Sequence, residues 1–342
     1  MMDQSLRARQ GIGGRIRLIR GLIPGLVLCA TIALAAAFVS DHYGGPALLH
    51  ALLLGMAFFF LSQDGRTAPG VIFAGRHVLR IGVALLAARI TAGEILELGW
   101  LPILVVLFGV TLTILAGVAI SRLLGLPAEF GILSGGATAI CGASAAMAIS
   151  AALPRDETSG RNTLFVVIAV TSLSTVAMVV YPPLVRMLGM DETQAGIFLG
   201  ATIHDVAQVV GAAFMLSEET GRTATLTKLL RVAFLVPVVL TISMLLFRGA
   251  PSGRAKARAP LPGFLVAFVL IVVANSLGLL PKATQSALAE ISRGCLVVAI
   301  AGLGVQTSFR KLAQVGWKPV AIVVLETLFL ALLVLGIMAV AA

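Results

Sequence analysis

The sequence predicts an all-α polytopic membrane protein of about eleven transmembrane helices. Three observations predict it. First, 59% of the 342 residues are hydrophobic and only 12% are charged, about half the roughly 25% of soluble domains. Mean hydropathy is +1.05, and a water-soluble fold cannot hide that much apolar surface. Second, the apolar residues come in continuous runs of about 20, one bilayer crossing each, rather than in the alternating pattern of a β-barrel. Third, no hydrophilic stretch is long enough for a soluble domain, so 1–342 reads as a single integral membrane domain.

The first run, Gly21 to Val39, follows a basic N-terminus (1–20) that holds Arg7, Arg9, Arg15, Arg17 and Arg20. It is long enough to span, and no small-x-small cleavage site with a soluble domain follows. A retained helix with its basic end in the cytoplasm is therefore expected, rather than a signal peptide. The remaining expected spans are 46–62, 71–90, 99–120, 130–152, 163–186, 194–216, 227–247, 262–280, 285–306 and 318–341. This count puts about sixteen Lys and Arg inside against about six outside, the bias of inner-membrane proteins. Arg222 and Lys228 fall in an outside loop, the N-terminus inside and the C-terminus in the periplasm. The net charge of +10 then belongs to cytoplasmic loops and not to a nucleic-acid surface. The Pro/Gly/Arg-rich stretch 248–262 reads as a cytoplasmic loop and a hinge between two halves. Cys29, Cys141 and Cys295 lie inside apolar runs, with neither metal-ligand spacing nor a disulfide framework, so no metal and no cofactor is expected.

A weak repeat runs through the chain. Leu98-Gly-Trp-Leu-Pro102 matches Val315-Gly-Trp-Lys-Pro319 at an offset that also pairs Arg76 with Arg293 and Leu86 with Leu303. The copies lie seven spans apart, an odd number, and so would be inverted, as in many secondary transporters.

Two spans are unlike lipid-facing helices. The first holds Ser134, Gly135, Gly136, Thr138, Cys141, Gly142 and Ser144. Thr138, Cys141 and Ser144 would share one face of a continuous helix. Consecutive glycines permit a break, whose open N–H groups and helix dipole favour an anion. Close helix packing by small residues is the competing reading. The second span reads Gly200-Ala-Thr-Ile-His-Asp-Val-Ala-Gln-Val-Val-Gly211. Charge in mid-bilayer is costly and faces a bundle interior or water. Thr202, His204, Asp205 and Gln208 are therefore expected to form a polar patch, with His204 and Asp205 as proton or ion coupling residues; a structural His–Asp network is the alternative. Both segments contain Gly-Ala-Thr. Arg76, His77, Arg80 and Arg89 in span three, and Glu290 and Arg293 in span ten, read as interfacial or mutually paired charges. Arg293 is still a candidate counter-charge for an anion, as is Arg80. Glu326 is an isolated acid in the last span.

Residues 134–145 and 200–211 resemble the two signature segments of the YeiH-type family, whose members carry a sulfate-exporter label; 78–90 and the region before Thr307-Ser-Phe-Arg310 are also similar. The resemblance covers nearly the whole chain. It implies a multi-pass protein of the bacterial inner membrane, built like the sodium/proton antiporter and bile-acid symporter superfold, with broken helices near the midplane. It also implies export of sulfate or a related sulfur oxyanion or sulfonate. The family's second motif commonly has Glu where this chain has Asp205.

The leading functional expectation is a secondary transporter of a small anion working by alternating access. Ser134, Gly135, Gly136, Thr138, Cys141, Ser144, Thr202, Gln208 and Arg293 would hold the substrate. No Gly-x-x-x-x-Gly-Lys-Ser/Thr loop is present to drive it with ATP. A cation/proton antiporter on the same scaffold would use Asp205 and Glu326. An intramembrane hydrolase would need Ser144 or Cys141 beside His204; Gly142-Ala-Ser-Ala145 lacks the glycine that follows the serine in an intramembrane protease signature. The expected partners are a small anion, the bilayer and, in a homodimer, a second copy of the chain; nucleic acid is not expected.

Overall fold

The computed structural model describes residues 2–44, 46–97, 99–154, 159–246, 263–307 and 317–341, with side chains from Arg20 onward except at 89, 94, 95, 97, 243, 245, 246 and 265. Among the described residues the regular structure is all helical. In chain order the helices are α1 (Met2–Tyr43), α2 (Ala47–Ala57), α3 (Ala68–Phe73), α4 (Leu79–Leu86), α5 (Ala92–Glu97), α6 (Leu101–Leu123), α7 (Ala128–Ala139) and α8 (Ala143–Ala152). They continue with α9 (Ser159–Met187), α10 (Glu192–Thr202), α11 (Val206–Phe214), α12 (Glu218–Ala233), α13 (Leu235–Leu246), α14 (Gly263–Ser276), α15 (Lys282–Gln306) and α16 (Trp317–Ala341).

Among the described residues seven helical stretches are long and apolar enough to cross a bilayer: Arg20–Tyr43, Ala68–Leu86, Leu101–Leu123, Ser159–Met187, Glu218–Ile242, Lys282–Gln306 and Trp317–Ala341. The other expected spans fall on short or interrupted helices. Span 46–62 maps to α2, 130–152 to α7 and α8, 194–216 to α10 and α11, and 262–280 to α14. Both tryptophans stand exposed at a helix start, Trp100 before α6 and Trp317 at the head of α16.

The chain folds into two compact units. One comprises Met1–Leu86 and Lys282–Thr307; the other comprises Ala87–Pro281 and Ser308–Ala342. The expected hinge at 248–262 lies outside the described residues, and the helices on either side of it, α13 and α14, both belong to the second unit.

The first unit packs α1, α2, α3, α4 and α15 together, with a wide π turn over Ala74–Val78 between α3 and α4. Glycines set its spacing. A Cβ on Gly70 would lie 2.1 Å from Leu22 O of α1, and one on Gly55 would lie 2.5 Å from Ala301 O of α15. Small residues let helix backbones touch where lipid offers no hydrophobic drive for association. Ser292 adds a hydrogen bond from its Oγ to Gly82 O at 2.6 Å.

The second unit follows the same rule around α12. A Cβ on Gly200 of α10 would lie 2.5 Å from Ala224 O, and one on Gly131 of α7 would lie 2.3 Å from Gly117 O of α6. Here the structure corrects the sequence reading. Lys228 is not in an outside loop: α12 begins at Glu218, capped by the Ser217 side chain on Thr220 N, and Lys228 is fully buried within it. The threonines of α12 explain how a helix of such mixed composition is buried. Thr225 Oγ1 donates to Gly221 O and Thr227 Oγ1 to Thr223 O, so their hydroxyls are satisfied inside the helix.

Candidate functional site

In the second unit both motif segments are helices interrupted mid-way. The first runs through α7, stops at Ala139 and resumes at Ala143. The second stops at Thr202 and resumes at Val206. The expected break at Gly135–Gly136 is therefore displaced, because those glycines continue the helix. The turn comes at Gly142, where φ is +64° and glycine alone pays no Cβ penalty. Gly135 and Gly136 serve packing instead. A Cβ on Gly135 would lie 2.9 Å from Thr113 O of α6, and one on Gly136 would lie 2.2 Å from Ile149 Cδ1 of α8. The interruption also separates Thr138, Cys141 and Ser144, which do not share a helix face. Thr138 is in the last turn of α7, Cys141 is buried in the break, and Ser144 is exposed in the first turn of α8.

The two breaks lie against each other: a Cβ on Gly142 would be 3.8 Å from both Cβ and O of His204. Breaking a helix leaves carbonyls without partners, a cost that membrane burial makes severe. Two side chains of α12 remove it. Lys228 Nζ donates to the carbonyls of Ile140 (2.7 Å), Ile203 (2.9 Å) and His204 (2.5 Å). Arg231 donates through Nε to Ala139 O (2.8 Å), through Nη1 to Gly200 O (3.1 Å) and Ile203 O (3.2 Å), and through Nη2 to Thr138 O (2.9 Å). Both cations are buried, and each binds both breaks. They also oppose the roughly half negative charge that each helix C-terminus carries.

The N-terminal sides of the breaks are handled differently. The Asp205 carboxylate caps α11 by accepting from Ala207 N at 2.8 Å, while its own N–H donates to Ser174 Oγ at 3.1 Å. At α8 the cap position is Gly142, which supplies no side-chain hydrogen bond.

A second polar group stands beside the breaks. Glu326 of α16, fully buried, accepts from Ser134 Oγ (2.6 Å) and Thr138 Oγ1 (3.0 Å). His204 is also fully buried; its Nδ1 is 3.1 Å from Thr138 O and its Nε2 2.9 Å from Thr327 Oγ1. Gln208 Nε2 donates to Thr175 Oγ1 at 2.8 Å, and its Oε1 is buried with no partner among the described residues. Thr202 Oγ1 turns back onto Phe198 O at 2.6 Å.

Of the residues singled out in the sequence, Ser134, Thr138, Cys141, Thr202, His204, Asp205 and Gln208 thus lie in or next to the breaks. Arg293 belongs to the first unit, is largely exposed, and has Glu290 Oε1 at 3.7 Å from its Nη1. Arg80 is exposed and in the same unit. Sequence reasoning missed Lys228 and Arg231. The signal was present: two cations three residues apart, with further apolar helix on their C-terminal side, are costly at membrane depth and mark a functional interior.

Comparison with known proteins agrees with this picture of a helical membrane protein. The family model described as conserved hypothetical protein 698 matches residues 24–323. The UPF0324 membrane protein CT0845 of Chlorobaculum tepidum is 55% identical over 315 residues, covering 92% of this chain and 88% of the relative. The UPF0324 membrane protein TauZ of Paracoccus denitrificans is 52% identical over 320 residues, with coverage of 93% and 95%. The UPF0324 membrane protein RB0971 of Rhizobium meliloti is 50% identical over 316 residues, with coverage of 92% and 91%. The chain belongs to the UPF0324 family of membrane proteins, the YeiH-type family that its two motif segments resemble.

Proposed function

We propose that this protein is a secondary transporter that exports a small anion, sulfate or a related sulfur oxyanion or sulfonate, by alternating access across the bacterial inner membrane, with its N-terminus in the cytoplasm. One observation carries the reading: two interrupted helices meet in the second unit, and the protein's own charges compensate every helix end at the meeting point except one. Lys228 and Arg231 serve the two negative ends, and Asp205 serves the positive end of α11. The N-terminus of α8 has Gly142 at its cap position, with the Cys141 thiol, not a carboxylate, at Ala145 N–H. Its N–H groups and the exposed Ser144 hydroxyl suit an anion, which gains from charge-assisted hydrogen bonds and the helix dipole together. Gln208, with its unpartnered Oε1, is the next polar group the substrate would use. Irregular backbone at membrane depth is tolerated where it is buried in protein or lines a water path, as in the broken helices of transporters.

The test is flux in proteoliposomes of the full chain. Labelled sulfate, thiosulfate and a small sulfonate are offered with and without unlabelled anion on the far side. Saturable uptake of at least one, accelerated by the trans anion, is expected. Folded protein that moves none of them faster than empty liposomes would overturn the reading.

A cation/proton antiporter on the same scaffold is the second reading, favoured by the buried acid Glu326. Dye-quench assays under a sodium or potassium gradient, without any added sulfur anion, separate the two.

A further inference from the structure

Glu326 is the only buried acidic side chain among the described residues. It sits in a niche cut by small groups. A Cβ on Gly117 of α6 would lie 2.6 Å from Glu326 Oε1, so glycine there makes the room. Among the described residues no Lys, Arg or His forms an ion pair with it; its hydrogen-bond partners are the hydroxyls of Ser134 and Thr138. That choice of partners has a chemical consequence. An ammonium or guanidinium group only donates, and so serves only a carboxylate. A hydroxyl both donates and accepts, and so serves a carboxylate and a carboxylic acid equally.

The hydroxyls also have somewhere else to turn. Ser134 carries one hydroxyl hydrogen but has two acceptors, Glu326 Oε1 at 2.6 Å and Gly131 O at 3.5 Å. Thr327, next to Glu326 in the chain, likewise has Val323 O at 2.6 Å and His204 Nε2 at 2.9 Å. Each can satisfy one at a time. Thr138 ties the pairs together, because its Oγ1 bonds Glu326 while its carbonyl faces His204 Nδ1 and accepts from Arg231. One turn before Gly117 on α6, Thr113 is buried with a hydroxyl that has no partner among the described residues.

We propose that Glu326 is a proton-carrying site, with the Ser134 hydroxyl as its switch. In the charged state Ser134 donates to Oε1. On uptake, a hydronium ion of the water phase gives up a proton and leaves as water, the new O–H bond on Oε1 donates to Ser134 Oγ, and the Ser134 hydroxyl turns to Gly131 O. The niche passes from one negative charge to none, and release reverses each step. Of the helices packed against α16, α6 carries Arg122, α7 Glu129, α9 Arg161 and Arg186, and α10 Glu192, all exposed; α9 also carries the buried Tyr181. The buried or half-buried titratable and charged groups nearer the niche are His204, Asp205, Cys141, Lys228 and Arg231. The proposal deepens the transporter reading by naming the coupling ion and its carrier, and it rests on that reading only for its consequence in flux.

The test reads protonation directly. Full-length protein in lipid is taken through a pH jump and followed by infrared difference spectroscopy. The wild type is expected to gain the carbonyl stretch of a protonated carboxylic acid on acidification. Glu326→Gln loses the band, Ser134→Ala shifts it, and Glu129→Gln keeps it. Isotopic labelling of glutamate in the wild type must move the same band, and Glu326→Asp, which keeps an acid in the niche where Glu326→Gln does not fold, must keep a band that the glutamate label no longer moves. A wild type without the band, or a band untouched by Glu326→Gln and by the label, overturns the proposal. The two claims fail separately. An intact band in a protein that moves no anion sinks the transporter reading alone, whereas anion flux without the band sinks the proton site alone.

Discussion

The two interruptions of the second unit are alike on one side and unlike on the other. On the C-terminal side the first half-helices carry the shared Gly-Ala-Thr in their last turn, α10 ending on its Thr202 and α7 one residue beyond its Thr138, and both surrender their last carbonyls to Lys228 and Arg231. On the N-terminal side α11 carries its own anion in Asp205, while α8 carries none. The shared half is a structural device, since a broken helix in lipid needs its carbonyls paired before it can do anything else. The half that differs is where function has room. The end compensated from within is closed to a ligand, and the end left uncompensated gains most from a negative charge brought from outside.

The largest expected effect comes from removing the shared device. Lys228→Met withdraws three hydrogen bonds from carbonyls of both breaks. At about 1–3 kcal/mol for each buried group left unsatisfied, loss of folded protein is expected, read as aggregation on size exclusion or a collapse of the melting temperature. A variant that elutes and melts like the wild type would show that the breaks do not depend on that cation. Next comes the close packing beneath them. Gly117→Ala places a methyl 2.6 Å from both Glu326 Oε1 and Gly131 O, and overpacking of this kind costs about 1–3 kcal/mol, visible as a lowered melting point. Smaller again is the loss of the cap on α11. Asp205→Ala should cost about 1 kcal/mol, and Asp205→Asn, which caps equally well, only a few tenths; equal losses in the two would mean that the charge of Asp205, not its cap, holds the second break. Arg293→Gln should leave thermal stability unchanged, because an exposed pair in the first unit contributes little.

The sequence was legible where composition and small-residue pattern decide the outcome. The helical membrane class, the two unusual segments and the polar character of His204 and Asp205 all follow from apolar runs interrupted by residues that lipid does not tolerate. It was less legible where a long-range partner decides. Gly135 and Gly136 look like a breaking point, yet α6 lies against Gly135 and Ile149 of α8 against Gly136 while the helix runs on, and the turn comes at Gly142. Lys228 looks like a loop cation because the threonines of α12 lower its local hydropathy. Only the carbonyls of two distant breaks reveal why a charge belongs there. Ser134 and Thr138 have the look of substrate ligands in the sequence, and the sequence does not show that their hydroxyls are directed at Glu326, an acid 192 and 188 residues away in the chain.

The comparison can be tested most directly by making α8 resemble α11. Ser144→Asp puts a carboxylate in the first turn of α8, a position that negative charge stabilises by about 0.3–1 kcal/mol. The account predicts a melting temperature equal to or slightly above that of the wild type, together with loss of sulfur-anion flux in proteoliposomes. Folded Ser144→Asp protein that carries the anion at the wild-type rate would contradict it.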